Sequence, residues 1–420
     1  MPLIRPFRAW RYHPDLISRL NTLLAPPSDT ISEPQQRALY QQPYNSIHLS
    51  VPATTREADR TLHHWKAQGV LQQDSKPAIY GYYQRFALPG DTTIHCQKGF
   101  ICFIAVTDWE AGVVLRHEDT IPHSVEDRVE LLATIQLQTS PTHGLYTDPD
   151  HRLDAFTDAS MENPLYDAED SQQVRHTLSR ICDPEVLQEF VEVLRARPVI
   201  LADGHHRYES SLQYRKHREA SVPDASAAYN YHMMYLTNTE EANARVLPMH
   251  RLVHQWPTLD LDSVMQKANR YFLVEPLDGI EDIPGAIAEK PGAFGVLSKN
   301  RSFRLQLKAN MIAHFPRVLP TEVKNLDTTV AHYFFIDRVL GIPYDEQRKS
   351  LHLTYEPDFA QSVFQVMEQK AALAIMLQPA SIEQVKRICY SGHLMPQKST
   401  YFYPKTVSGL VFGSIRSDEL

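Results

Sequence analysis

The 420-residue sequence predicts a mixed α/β protein, and three patterns carry that prediction. The run Gly99–Val106 is almost wholly apolar, which is typical of a strand covered on both faces. Residues 125–135 repeat apolar side chains at helical spacing. Pro198–Ala202 is typical of a short buried strand, and it runs through Asp203-Gly204 towards a polar helix expected from Tyr208. Alternating strands and helices of this kind favour a sheet with helices packed on it.

Composition restricts the class of protein. With 43% hydrophobic and 22% charged residues, the chain is close to the globular average. A net charge of -8 argues against sequence-independent nucleic-acid binding, which relies on clustered Lys and Arg.

The length exceeds what one core usually serves, so several units are expected. We predict an N-terminal α/β region over 1–150, a region containing Asp203 over 151–256, a small α+β insertion over 257–345, and C-terminal strands completing the core over 346–420.

The cysteines and the N-terminus indicate a compartment. Four widely spaced cysteines form no Cys-x-x-Cys pair, so neither a zinc knuckle nor a disulfide framework is predicted. The first residues contain no apolar signal region, and no stretch has the apolar length of a membrane span. A reducing, cytoplasmic location without membrane contact is therefore expected.

Further elements follow along the chain. Pro26 and Pro27 hold an extended segment, after which Ser28 or Asp29 is expected to cap a helix that begins near Ser32. Helices are also predicted over 56–68, 170–196, 321–341 and 357–370, and strands over 78–86 and 228–237.

The segment Asp203–Arg207, with the sequence Asp-Gly-His-His-Arg, is the most informative for function. Gly204 lets backbone N–H groups approach a ligand, and the following helix N-terminus favours negative charge. Arg207 offers a planar fork suited to phosphate or carboxylate oxygens. His205 and His206 supply proton-transfer groups, metal ligands or anion donors, and Asp203 can accept a proton or bind Mg²⁺. The alternative is a capped turn whose Arg and His side chains pair with nearby acids.

A second candidate is the segment His117–Thr120. Adjacent His117 and Glu118 can bind a metal or act as acid and base, although surface loops often have this composition. No His-Glu-x-x-His pattern occurs, so a preformed zinc site is not predicted. If a metal ion binds, Asp203 and Glu118 are its candidate ligands.

A third candidate lies near the C-terminus. Two cations and four hydroxyls there suit a phosphate or a carboxylate, and a sheet edge guarded by lysines is the equal alternative. These residues are Lys398, Ser399, Thr400, Tyr401, Tyr403 and Lys405. Arg251 and Asp29 are single supporting residues that, like His117, we expect at the phosphate or substrate. A structural role is the alternative for Arg251 and Asp29. The Walker A, Gly-x-Gly-x-x-Gly, Gly-x-Ser-x-Gly and kinase signatures are absent, which excludes the standard phosphate-loop, dinucleotide and serine-hydrolase interpretations.

Several motifs in the same order resemble a known family over almost the full length. The matching segments are Ile4–Phe7, Ala25–Asp29, His117–Thr120, Ala202–Glu209, Leu247–Arg251 and Met395–Lys405. They are similar to the bacterial and archaeal family known as domain of unknown function 1015, whose members are often encoded beside serine-biosynthesis genes. That resemblance implies serine or phosphoserine as a candidate substrate.

The segment Asp203–Arg207 also looks like the phosphate-binding signature of the ParB and sulfiredoxin superfamily, which includes nucleotide-dependent free-serine kinases. The resemblance implies a ParB/sulfiredoxin-like core around this turn, with additional α+β units. Sulfiredoxin has a catalytic Cys where His205 stands, so sulfinic-acid reduction is not expected. In the serine kinases the matching run serves catalysis and phosphate binding, which implies these roles for Asp203, His205, His206 and Arg207.

We therefore expect a phosphoryl-transfer enzyme, a kinase or phosphatase, that acts on a small hydroxy amino acid or its phosphate. The expected phosphate ligands are Arg207, the Gly204 backbone, His206 and Lys398, and the expected base is Asp203 or Glu118. Mg²⁺ is the expected metal, and ATP, ADP or pyrophosphate are candidate co-substrates.

The alternatives are a nucleotide-binding clamp of ParB type and a metal-dependent hydrolase using His117, Glu118, His205 and His206. The expected partner is a phosphorylated small molecule or nucleotide rather than nucleic acid, and a homodimer is a candidate assembly.

Overall fold

The computed structural model describes residues 1–28, 30–221, 224, 226–241, 245–254, 260–316 and 318–420. Asp29, an expected substrate contact, lies outside the described residues. The chain forms two compact units, one made of Met1–Arg116, Thr120–Ala244 and Pro404–Leu420 and the other of His117–Asp119 and Arg245–Tyr403. The finer division into four regions stays a prediction.

The first unit is built on a nine-stranded mixed sheet. Its strands are Ile4–Arg5 (β1), Tyr80–Ala87 (β2), Ile94–Ala105 (β3), Val114–Arg116 (β4), Thr142–Tyr146 (β5), Tyr166–Glu169 (β6), Arg175–Leu178 (β7), Val199–Asp203 (β8) and Tyr231–Asn238 (β9). The spatial order is β4-β8-β5-β9-β3-β2-β7-β6, with β1 beside β3. The pairs β8–β4 and β9–β5 are parallel and the others antiparallel. The expected mixed α/β class is confirmed.

Strand β3 shows why its sequence is apolar throughout. Ile101 and Phe103 belong to the core on one face of the sheet, and Phe100, Cys102 and Ile104 belong to the core on the other. Successive side chains of a strand point to opposite faces, so a strand covered on both faces needs apolar residues at every position. The prediction for Gly99–Val106 is confirmed.

Helices cover this sheet. The longer ones are Thr55–Ala67 (α1), Pro122–Ile135 (α2), Pro184–Arg195 (α3) and His205–Ser221 (α4), and the shorter ones are Leu20–Leu23, Glu33–Tyr40, Ile47–Ser50 and Asp154–Ser160. Two small ribbons pair Trp10–Tyr12 with Leu71–Gln73 and Leu137–Gln138 with Gly413–Ser414.

Two local predictions are wrong. The helix predicted over 170–196 begins only at Pro184, because β7 pairs with β2 and β6 instead. Asp183 caps the helix by accepting from the amides of Glu185 and Val186. The helix Glu33–Tyr40 is capped not by Ser28 but by Ser32, which accepts from the Gln35 amide.

The second unit has a six-stranded antiparallel sheet. Its strands are His250–Val253 (β10), Phe272–Leu277 (β11), Ala293–Leu297 (β12), Ser302–Leu307 (β13), Leu353–Glu356 (β14) and Leu373–Met376 (β15), in the order β11-β13-β12-β15-β10-β14. Its helices are Leu261–Ala268 (α5), Phe359–Met367 (α6) and Ile382–Tyr390 (α7), the shorter Asp282–Ile287, Thr321–Lys324 and Asp327–Val330, and a π-helix at Ala331–Val339. A ribbon pairs Arg245–Leu247 with Tyr401–Tyr403.

Two further observations concern the cysteines and the helices. Cys96, Cys102, Cys182 and Cys389 are free thiols. Within the described residues, no helix has both the length and the apolar character that a membrane crossing requires.

Candidate functional site

The turn at Gly204 connects the end of β8 directly to α4. Gly204 has φ of +89°, a backbone conformation that residues with a Cβ rarely adopt. A Cβ added there would lie 2.6 Å from Thr142 Cγ2 and 2.9 Å from Arg207 Nη2. The helix begins at His205, three residues before the predicted start at Tyr208. Glycine is therefore required both by the backbone angle and by the close packing of β5 and Arg207 around the turn.

Gly204→Ala is expected to lower the free energy of unfolding by about 2–3 kcal/mol, because the left-handed conformation and the contact with Thr142 both oppose a methyl group. Gly90→Ala is the matched control. Gly90 has φ of +78° but nothing within 4 Å of an added Cβ, so only the backbone strain, about 1 kcal/mol, remains. Urea unfolding of both variants measures the difference, and equal losses would contradict close packing at Gly204.

Asp203 lies between two cations. Its Oδ2 accepts from Arg207 Nη2 at 2.9 Å, and its Oδ1 contacts the Lys405 ammonium. Burial alone raises the pKa of Asp203, but the charges of Lys405 and Arg207 outweigh that effect and hold the pKa well below its usual range. At neutral pH Asp203 is therefore an anion that holds the two cations in place. Both carboxylate oxygens are engaged in this way.

Arg207 is anchored from three sides. In addition to Asp203, its Nη1 donates to Ser140 Oγ at 2.9 Å and to the Pro141 carbonyl at 2.7 Å. A guanidinium carries five N–H groups, and these contacts use three of them. Among the described residues the Nε–H and one Nη2–H have no partner. The guanidinium is thus held rigidly while part of its donor set stays available to a ligand.

A pocket of about 650 Å³, counting its open mouth, borders Arg207. Its lining comprises Pro26, Pro27, Ser28, Ser50, Arg128, Leu131, Leu132, Leu137, Gln138, Thr139, Ser140, Arg207, Ser210, Ser211, His232 and Ser408. Two arginines supply its formal charge at neutral pH, and no Asp or Glu occurs among the described lining residues. Such a lining suits a small anion with hydrogen-bonding groups.

Arg128 and Ser50 form one wall of this pocket. Arg128 Nη1 donates to the Ser50 carbonyl at 2.6 Å, which connects α2 to the end of the helix Ile47–Ser50. The Ser50 hydroxyl is buried and has no hydrogen-bond partner among the described residues. A buried polar group without a partner is costly unless a ligand or water satisfies it. This hydroxyl therefore marks a position where a bound molecule gains a hydrogen bond.

The two predicted histidines of the turn have structural partners. His206 Nε2 accepts from the Ile121 amide at 2.9 Å, immediately before α2 begins. His205 is buried, 8% exposed, and lies near enough to Asp203 for an electrostatic interaction that lowers the pKa of Asp203. His143, opposite Asp203 in the β8–β5 pair, contacts Thr237 Oγ1 at 2.8 Å. Catalytic roles for His205 and His206 stay predictions.

The other predicted residues belong to the second unit. His117 is buried, and its Nε2 lies 2.8 Å from Thr400 Oγ1. Ser399 is buried and donates to the Pro396 carbonyl, while Lys398 adopts φ of +55° in the same loop. Tyr403 is the strand partner of Arg245 in the two-stranded ribbon of Arg245–Leu247 and Tyr401–Tyr403. Glu118 is half-buried. The segments around His117 and Thr400 thus converge within this unit, and their functional roles stay predictions.

Arg251 is fully buried in the second unit. Its Nε donates to His332 Nε2 at 2.9 Å, its Nη1 to the Met249 carbonyl, and its Nη2 to the Gln397 carbonyl at 3.4 Å. Burial lowers the pKa of Arg251 to about 10. Its described hydrogen bonds therefore connect the segments around Met249, Gln397 and the π-helix.

Arg251→Ala is expected to lower the free energy of unfolding by about 2 kcal/mol, because His332 and two carbonyls lose their donor. Arg301→Ala is the control, since Arg301 is exposed and pairs with an exposed Asp262. Chemical denaturation compares the two variants. Equal stabilities would show that the Arg251 contacts contribute little.

The predicted metal ligands, Asp203 and Glu118, belong to different units. Among the described residues, one group of three His, Cys, Asp or Glu side chains has ligand atoms within 4.8 Å of one another, and it consists of His151, Asp154 and Glu241. Asp203 and Glu118 are not members of it. Mg²⁺ binding at those two residues stays a prediction.

Several pocket residues carry no signal in the sequence. Arg128, Ser50, Ser140, Ser211 and His232 come from five separate segments and match none of the expected motifs. The nearest signal is the extended segment that the sequence predicts at Pro26 and Pro27. These two prolines and Ser28 line the same pocket. A polar side chain on the apolar face of a predicted helix, such as Arg128 beside Leu131 and Leu132, is the feature that points to such residues.

Comparison with curated proteins gave no match. Similar solved structures include a conserved hypothetical protein from Pyrococcus furiosus, with a TM-score of 0.38 and 11% identity over 73% of this chain and 94% of that chain. A free serine kinase in complex with AMP has a TM-score of 0.40 and 10% identity over 76% and 93%. SbnI with a C-terminal truncation, from Staphylococcus aureus, has 0.37 and 10% over 74% and 86%. These similarities are too distant to assign an activity.

The family comparison is stronger. The family described as protein of unknown function (DUF1015) has a model that matches residues 4–329, more than half of the chain. The matched range includes β1, the Asp203–Arg207 turn and the Arg251 segment, which are among the segments that carry the resemblance in the sequence. The chain accordingly belongs to the DUF1015 family.

Proposed function

We propose that this chain transfers a phosphoryl group to or from a small hydroxy amino acid, with the phosphate held in the pocket beside the Asp203–Arg207 turn. One observation carries the proposal: the described lining of this pocket combines two arginines with several serine and threonine hydroxyls and contains no carboxylate. Phosphate oxygens are bound by such fixed cationic and hydroxyl donors. The pocket therefore suits a phosphorylated amino acid, which is an anion, better than a free hydroxy amino acid, which has no net charge.

The roles of the turn residues follow from their contacts. Arg207 binds the phosphate through the N–H groups that its protein partners leave available. Asp203 stays ionised and positions Arg207 and Lys405, which makes it a weak proton acceptor. The Ser50 hydroxyl and Arg128 receive a second polar group of the ligand. Mg²⁺, if required, would be brought with a nucleotide or pyrophosphate rather than held by the fully engaged Asp203 carboxylate.

Activity assays test the proposal. The purified full-length chain is incubated with phosphoserine plus ADP, with serine plus ATP or pyrophosphate, and with phosphoserine alone, each with and without Mg²⁺. Turnover in at least one mixture is expected, together with a higher melting temperature in the presence of the active ligand. The absence of both turnover and ligand stabilisation would refute the proposal. Stabilisation by nucleotides without turnover would favour the nucleotide-binding clamp.

A further inference from the structure

Ser211 occupies a distinctive place in the pocket wall. It lies one helical turn after Arg207 on α4, so the two side chains share a face of the helix, and both line the pocket. Its Oγ is 2.7 Å from His232 Nδ1, on β9. The other ring nitrogen, His232 Nε2, is 3.0 Å from Thr142 Oγ1, on β5. The Ser211 hydroxyl, the His232 imidazole and the Thr142 hydroxyl thus form a continuous series of hydrogen bonds that starts at the pocket.

The direction of these hydrogen bonds matters for chemistry. A neutral imidazole carries one N–H, so one ring nitrogen donates and the other accepts. With the proton on Nε2, the ring donates to Thr142 Oγ1, and Nδ1 accepts from the Ser211 hydroxyl. Burial, and then the Arg207 charge, lower the pKa of His232 to about 3, which keeps the ring neutral. Tyr208 packs edge-on against the same ring. At neutral pH His232 Nδ1 therefore carries no proton, and it accepts the hydrogen bond from the Ser211 hydroxyl.

The neighbouring Ser210 provides a contrast. It also borders the pocket, but its Oγ–H donates to the Arg207 carbonyl of its own helix at 2.8 Å. Ser211 therefore differs from Ser210 in having a base within hydrogen-bond reach, and that base is in turn oriented by Thr142. A nucleophile, a base and an orienting group at these distances are the signature of an activated hydroxyl.

We propose that Ser211 is a nucleophile that takes up a phosphoryl group, with His232 as its base and Thr142 as the residue that positions His232. The inference rests on the proposed function and specifies its route. Ser211 Oγ attacks the phosphorus of a phosphate monoester, the Oγ–P bond forms and the bond from phosphorus to the leaving oxygen breaks. The Ser211 proton moves to His232 Nδ1 and then to the leaving oxygen, which departs as an alcohol. A second hydroxyl, or water, then attacks the same phosphorus and the Oγ–P bond breaks. The proton of the attacking oxygen moves to His232 Nδ1 and from there to Ser211 Oγ, which restores the Ser211 hydroxyl.

The experiment detects the phosphorylated enzyme. The full-length chain is mixed with excess phosphoserine, quenched in acid within one turnover, and measured by intact mass and peptide mapping. A mass increase of one phosphoryl group located on Ser211 is expected. His232→Asn is expected to slow its formation about 100-fold, since general-base catalysis contributes at least that much. Ser211→Ala is expected to remove the modification. Ser221→Ala is expected to retain it and is the control, because Ser221 lies on the same helix outside the pocket and donates to the His217 carbonyl.

The outcomes separate this inference from the proposed function. Turnover of phosphoserine with no modified Ser211, and with Ser211→Ala as fast as the unaltered chain, would overturn the nucleophile and leave phosphoryl transfer intact. Failure of phosphoserine either to react or to raise the melting temperature would overturn both. Because peptide mapping of the unaltered chain locates the modification, the decision does not depend on whether a variant folds.

Discussion

Arg207→Gln is expected to weaken the binding of phosphoserine or inorganic phosphate about 100-fold. The reason is that the bound anion loses a charged hydrogen-bond donor worth about 3 kcal/mol. The guanidinium is held in advance by Ser140, Pro141 and Asp203, so little entropy is lost when the phosphate binds. Glutamine keeps a donor but carries neither the charge nor the fork. Isothermal titration of the purified variant and the unaltered chain measures the ratio.

Arg56→Gln is the control for this measurement. Arg56 is exposed on α1 and does not line the pocket, so its replacement changes the net charge by the same amount without touching the site. Melting without ligand shows whether Arg207→Gln remains folded. An unchanged affinity in a folded Arg207→Gln variant would contradict phosphate binding at this residue.

Asp203→Asn is expected to lower the free energy of unfolding at pH 7 by about 4 kcal/mol, because Lys405 and Arg207 then share a largely buried position without an anion. The pH dependence has a defined sign. The pKa of Asp203 is held below its unfolded value of about 4, so its stabilisation is present above that pH and is lost as the pH falls further. The difference between the two proteins is therefore expected to shrink on acidification.

Urea unfolding at a series of pH values between neutral and about pH 3 tests this expectation. Asp91→Asn is the control, since Asp91 is exposed and bonds only to its own turn through Thr93 among the described residues. A difference between Asp203→Asn and the unaltered chain that stayed constant or grew on acidification would contradict a carboxylate held ionised by two cations.

The local order of the turn could be predicted from the sequence. An apolar segment, a glycine and a polar helix indicate a strand, a tight turn and a helix, because each depends on neighbouring residues. The structure has β8, Gly204 at positive φ and α4 in that order. Strand β7 could not be predicted in this way, since its pairing with β2 and β6 outweighs the helical pattern over 170–196.

The surroundings of the turn could not be predicted. The sequence groups Lys405 with Lys398 as a cation suited to a phosphate or a carboxylate, yet Lys405 contacts Asp203, which is 202 positions away in the chain. Ser50 and His232 were not singled out, because no local pattern distinguishes a pocket serine or histidine from a structural one. Membership of the ParB and sulfiredoxin superfamily stays a prediction.

By itself, the sequence determined the mixed α/β class, the family, and the position of a glycine turn that ends a buried strand and begins a helix. These depend on apolar periodicity and backbone freedom, which act over a few residues. Only the tertiary structure decided that Asp203 is held between Arg207 and Lys405, and that Ser50, Arg128, Ser211 and His232 surround one pocket. Such contacts join distant segments, and they are set by how the strands pair and the helices pack rather than by any neighbouring residue.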